Sequence, residues 1–266
     1  MENSWKAAGH PAAFCFSGDV VLSLPLITGL IRRRLLVNYR VDPEVIGKLL
    51  PEGFRPKLHR GHAIAGICLI RLEGIRPRVL PAWAGITSEN AAHRIAVLWE
   101  DEDGTTREGV FIPRRDTGSL ANHLAGGRIF PGEHHLADFM VADEDGKIEM
   151  AAKARDGGMT LRLSARETAE FPTTSCFGSL EESSAFFKPG SIGFSVTKDC
   201  CRLDGIRLDT EEWQVSPLAV ASVESSYFDD TEIFPAGSAV FDHALIMRDI
   251  PHEWHEVESR RVAIAV

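Results

Sequence analysis

The sequence has few cysteines, no long apolar run, and none of the short motifs that bind nucleotides. Its five cysteines, Cys15, Cys68, Cys176, Cys200 and Cys201, are an odd set without a CxxC spacing. That argues against a disulfide framework or a thiolate zinc site and fits reduced thiols in a cytoplasmic protein. The most membrane-like stretch, Val20 to Ile31, is shorter than the ~20 apolar residues of a spanning helix and is interrupted by Pro25. Glu2, Lys6 and Asp19 precede it, which is not the basic-then-apolar order of a secretory signal. P-loop and GxGxxG patterns are absent, and Ser119 lacks the GxSxG frame of a hydrolase elbow. Positive charge is also short. A formal net charge of −9 argues against general nucleic-acid binding. The expectation is a protein without nucleic-acid or membrane partners: an N-terminal arm over residues 1–31 packed on a single domain over 32–266.

What is present is β-rich. Leu35 to Val41 carries strand formers. Asp42-Pro43-Glu44 then has the N-cap, first-position proline and early acid of a helix, which Pro51 and Gly53 end. His62 to Leu72 is an apolar run with little alternation and predicts a strand buried on both faces. Acidic-Gly turns at Asp101 to Gly104, Asp143 to Gly146 and Arg155 to Gly158 separate strand pairs. Thr117 to Leu124 predicts a short helix. Ser179 with Glu182 is a capping box for a second helix over Leu180 to Phe187. Later strands are expected at 192–197, 205–208, 213–228, where Pro217 bends the strand, and 239–247. The class is α+β, mainly β: an antiparallel barrel or sandwich with a few short helices.

Several segments together resemble the acetoacetate decarboxylase superfamily, and within it a related bacterial family of unknown function. They are Arg34 to Pro43 with Leu49-Leu50-Pro51, Gly66 to Leu72 with Ile75-Arg76-Pro77, Ser88 to Arg94, Gly109 to Pro113, and Phe228 to Pro235. The resemblance spans roughly residues 32–248. It implies a double-layered β barrel around a pocket, a small organic acid or carbonyl ligand, no cofactor, and assembly into homo-oligomers. In that superfamily the decarboxylase forms an imine through a lysine that follows an aromatic-Pro pair. Here Phe130-Pro131 is followed by Gly132, Glu133, His134 and His135. A carboxylate or an imidazole cannot form an imine.

The richest polar cluster runs from Arg114-Arg115-Asp116 through Asn122-His123 and Arg128 to Glu133-His134-His135. Arg115 or Arg128 could clamp a carboxylate, Glu133 or His134 could move protons, and Asp116 would border the ligand. The bland alternative is a solvated loop with surface ion pairs worth ~0–1 kcal/mol. Glu89, Asn90, His93 and Arg94 form a second cluster. On a strand His93 and Arg94 face opposite ways, and an inward Arg94 must find a partner. His252-Glu253-Trp254-His255 would put two imidazoles on one face if helical, and with His243 and His134-His135 would suggest a metal; without an HExxH pattern a terminal surface segment is the simpler reading and no metal ligand is assigned. Among the lysines, Lys48 and Lys57 flank a surface helix, while Lys153 beside Ala152 and Ala154 could point inward. Three functions fit: an enzyme acting on a small carbonyl or carboxylate compound without an imine, a non-catalytic binder of such compounds, or a histidine-dependent metalloenzyme.

Overall fold

The computed structural model describes residues 25–126, 132–197 and 202–261. The arm residues 1–24, Cys15, Cys200, Cys201, Arg128 and the Phe130-Pro131 pair lie outside the described residues. The strands are β1 (Ile27–Val41), β2 (Phe54–Pro56), β3 (Leu58–His59), β4 (His62–Pro77), β5 (Ile86–Glu100), β6 (Thr106–Thr117), β7 (His134–Glu144), β8 (Lys147–Ala154), β9 (Thr160–Glu167), β10 (Ile192–Val196), β11 (Arg202–Thr210), β12 (Ser216–Ser225) and β13 (Ala239–Arg261). The helices are α1 (Pro43–Gly47), α2 (Leu120–Ala125) and α3 (Leu180–Phe187). No described helix is long and apolar enough to cross a membrane.

One sheet closes on itself by two routes. The first runs β13-β1-β4-β5-β6-β7-β8-β9-β12 and returns to β13; the second leaves β6 through β10 and β11 to reach the same β13. The five strands from β13 to β6 belong to both. Sharing is possible because each outer edge is divided. On β6, Val110 and Phe111 take β10 while Arg115 to Thr117 take β7. On β13, Ala244 to Ile246 take β12 while the stretch from His252 onward takes β11. Both pairings of β6 across this edge are parallel, so the sheet is mixed, whereas an all-antiparallel architecture was expected. The remaining pairings are antiparallel.

Shared strands are buried on both faces. Leu35, Val37, Ile67, Leu69, Ala91 and Ile95 enter the larger core. Their neighbours Leu36, Cys68 and Ala96 enter a second core covered by Phe177 and Phe187. This is why His62 to Leu72 reads as unbroken apolar sequence. By contrast β8 alternates, with Ile148, Met150, Ala152 and Ala154 inside. Lys153 therefore points outward and is exposed, correcting the inward placement. β1 begins at Ile27, within the span assigned to the arm, and β12 begins at Ser216 beside Pro217 instead of running from Trp213. The segment with His252 and His255 is strand, not helix. Residues three apart on a strand face opposite ways, so the two imidazoles cannot share an ion. Among the described residues no three His, Cys, Asp or Glu side chains form a metal-holding group.

Candidate active site

The site is built by register. Backbone pairing sets Leu245, Leu36, Cys68, Ala92, Arg115 and His134 side by side across β13, β1, β4, β5, β6 and β7. One step along, His243, Asn38, Gly66 and Arg94 form a parallel row. Alternation places both rows on the second-core face. In the first row Arg34, two residues before Leu36, donates from Nε to Cys68 Sγ at 3.4 Å. Beside Arg34 and Arg94 a shallow cleft, partly open to solvent, is walled by these two arginines with Leu36, Phe186, Phe187 and Trp213.

The buried arginines Arg33 and Arg114 are matched with acids. Arg33 meets Glu89 at 2.8 Å and Asp143 at 3.2 Å. Arg114 meets Asp116 at 2.8 Å and Asp156 at 2.9 Å. Arg94 and Arg115 differ. Arg94 is 5% exposed, donates from Nη2 to Asn38 Oδ1, lies 4.8 Å over the Phe187 ring, and has no partner at Nε. Arg115 donates from Nε to Ser195 Oγ at 3.1 Å, and its buried Nη2 has no partner. Among the described residues neither meets a carboxylate. Burial lowers both guanidiniums to about 10, which leaves them cationic at neutral pH. A buried charge without a counter-charge costs several kcal/mol, a cost that an anion placed at this face would offset.

Arg94 is held from behind. Asn38 Oδ1 accepts from Arg94, so its Nδ2 donates to His243 Nε2 at 3.1 Å and to the Leu36 carbonyl at 3.1 Å. His243 Nδ1 then donates to Asp242 Oδ2 at 2.7 Å. Asp242 also accepts from Ser175 Oγ, the Cys176 amide and Arg40. Against the penalty of burial, His243, Ser175 and the Cys176 amide hold its carboxyl well below the usual range. Ser183 Oγ is 2.8 Å from His243 Nε2, the spacing of a nucleophile, base and acid in line. Ser183 is fully buried, however, and Asn38 already addresses that lone pair. The chain orients Arg94; it does not activate a serine.

The sequence-derived candidates separate. Arg94, Arg115, Asn90 and His134 share the second-core face. Asn90 donates to Ser88 Oγ at 2.9 Å. His134 opens β7 with Nδ1 3.2 Å from the Gly132 carbonyl, and burial, then Arg115, lowers it to about 3, so it is neutral at pH 7. Gly132 brings this turn inward: its φ is +76° and a Cβ there would stand 2.6 Å from Ser195 Cβ. Glu133, between them, is exposed. His93 and Asp116 lie on the opposite face, His93 against Tyr227 and Phe228 and Asp116 locked by Arg114. Arg34, Asn38, Cys68, Ser195 and Asp242 were not singled out as site residues, and His243 was weighed only as a partner in a metal site. A period-two reading of β1 would have grouped Arg34 with Asn38. Lys57, expected beside a surface helix, instead forms part of the cleft wall, paired with Glu108 and donating to the Phe186 carbonyl.

Residues 30–245 match the model of DUF2071, a family described as an uncharacterized conserved protein. Among curated proteins no significant sequence match is found. Solved structures share the fold. An acetoacetate decarboxylase from Legionella pneumophila superposes with a TM-score of 0.58 at 13% identity, covering 98% of this chain and 94% of that one. An acetoacetate decarboxylase-like enzyme from Sphingomonas wittichii RW1 gives 0.56 at 15% identity, covering 91% and 94%. The enduracididine biosynthesis enzyme MppR, complexed with pyruvate, gives 0.53 at 12% identity, covering 91% of each.

Proposed function

Since the chain belongs to the DUF2071 family and carries the acetoacetate decarboxylase fold, we propose that it binds, and acts on, a small carbonyl compound bearing a carboxylate. Arg94 and Arg115 hold the carboxylate, and no imine-forming lysine takes part. One observation carries the reading: two inward guanidiniums on one face lack any acidic partner among the described residues, while Arg33 and Arg114 each have two. A guanidinium fork matches a carboxylate in shape and charge. The pyruvate in the MppR complex supplies the first compound to try. The described lysines support the imine-free form, because Lys48, Lys147, Lys153 and Lys188 are exposed and Lys57 is paired with Glu108. His134, neutral and beside Arg115, is the group assigned to proton transfer; Glu133 is its solvent-side neighbour.

Calorimetric titration with pyruvate tests this. Arg94→Gln and Arg115→Gln should each weaken binding about tenfold or more, the ~1.5–3 kcal/mol of a charge-assisted hydrogen bond. Unchanged affinity in both variants would sink the proposal. Borohydride trapping should label no lysine. A second reading, binding without turnover, is favoured by the absence of a buried unpaired lysine among the described residues. Pyruvate recovered unchanged after prolonged incubation would select it.

A further inference from the structure

Cys68 stands on β4, between β1 with Arg34 and β5 with Arg94, in the row that joins Leu36 to Ala92 and Arg115. Its sulfur accepts from Arg34 Nε at 3.4 Å, and Arg94 lies two residues from Ala92, its register partner on the adjoining strand. Arg94 is nine-tenths buried with an unpartnered Nε on the same face. A thiol flanked by guanidiniums is the environment in which cysteine acts as a nucleophile. The protein carries its own contrast in Cys176, whose thiol lies beside Asp242 and is pushed up to about 12 by burial and that carboxylate. Cys176 is therefore an inert thiol at neutral pH, half-buried against the same core.

We infer that Cys68 is the covalent group of this site, its sulfur adding to the carbonyl carbon of a 2-oxo acid whose carboxylate Arg94 and Arg115 hold. The inference rests on the carboxylate-binding reading and extends it. In the step, a sulfur lone pair forms the C–S bond and the π pair of the C=O bond moves to oxygen. That oxygen takes the proton that leaves the thiol. Hydrogen and sulfur thus add across the double bond, nothing is oxidised or reduced, and the tetrahedral adduct reverts by the same path. Fixed cations around a developing oxyanion stabilise it without reorganisation. The adduct serves the role that an imine serves in a lysine enzyme: it ties the substrate down through its carbonyl carbon.

The test uses the full chain and pyruvate labelled with 13C at C2. Binding is first established by calorimetry. In the wild-type protein the bound C2 resonance should move from the ketone range to the tetrahedral range, and in Cys68→Ala it should stay in the ketone range. If pyruvate binds but keeps a ketone resonance, or if the tetrahedral signal survives in Cys68→Ala, the covalent role is overturned while the binding reading stands. If pyruvate and other 2-oxo acids do not bind at all, the binding reading itself fails. A second measurement avoids substitution. Iodoacetate should alkylate Cys68 faster than iodoacetamide, with pyruvate protecting, whereas Cys176 should show no preference for the anionic reagent. Peptide mass mapping in which Cys68 reacts no faster with iodoacetate would also overturn the role.

Discussion

His93 stands inside the larger core with neither ring nitrogen hydrogen-bonded, its ring 4.5 Å from that of Tyr227. Burial, with a smaller push from Arg114, lowers it to about 3. A folded value below the ordinary ~6.5 means the neutral ring stabilises the fold fully above that pH. The stabilisation is lost as pH falls from there toward 3, at up to about 1.4 kcal/mol per pH unit. His252, lowered to about 4 chiefly by burial, acts in the same direction. Urea unfolding should therefore show a midpoint that drops between pH 7 and pH 5. His93→Phe should flatten that drop and add about 1 kcal/mol at neutral pH, since two unsatisfied nitrogens disappear. An unchanged pH slope in the variant would show that His93 is not the proton acceptor. The same scale explains Arg115. Asp116 adjoins it in sequence but points the other way on the strand, where Arg114 claims it.

Helix α3 is the lid of the second core. Its start is set by Ser179, whose Oγ accepts from the Glu182 amide at 3.2 Å, while Glu182 reaches back to the Gly178 amide. It delivers Phe187 over Arg94 and Ser183 against His243. Ser179→Ala should cost about 1 kcal/mol and speed amide exchange across residues 183–188. It should also weaken pyruvate binding through a loosened Phe187. Exchange that is unchanged there would mean that packing alone holds the helix. This cap was legible in the sequence, as were the Asp42 cap of α1, the β7-β8-β9 hairpins and the doubly buried β4. What the helix covers was not, because a cap motif is local and its packing partner is not. The outer half of β13 was illegible for a related reason. Its polar run, His252 to Arg260, is made strand by pairing with β11 and β1, both distant in sequence. At the site, arginine-bearing segments could be found by composition, but the missing acids could only be seen once register had divided the faces.

At the scale of the molecule, an ion network ties the first circuit together across its interior. Arg33 on β1 bridges Glu89 on β5 and Asp143 on β7, and Asp143 continues to Arg248 on β13 and thence to Glu167 on β9. Arg33 is 2% exposed. Arg33→Met should cost about 3 kcal/mol, the scale of removing one member of a buried pair, read as a lower urea midpoint at unchanged m-value. A loss under about 1 kcal/mol would mean that Arg248 alone neutralises Asp143. The divided edge of β13 has a further consequence for biosynthesis. Both circuits close only on residues 239–261, so a nascent chain emerging from the ribosome carries the apolar faces of β1, β4 and β5 unsealed until that segment is out. Long-range closure of this kind is slow, and during synthesis the protein is exposed to aggregation and to chaperone capture for nearly the whole length of its translation.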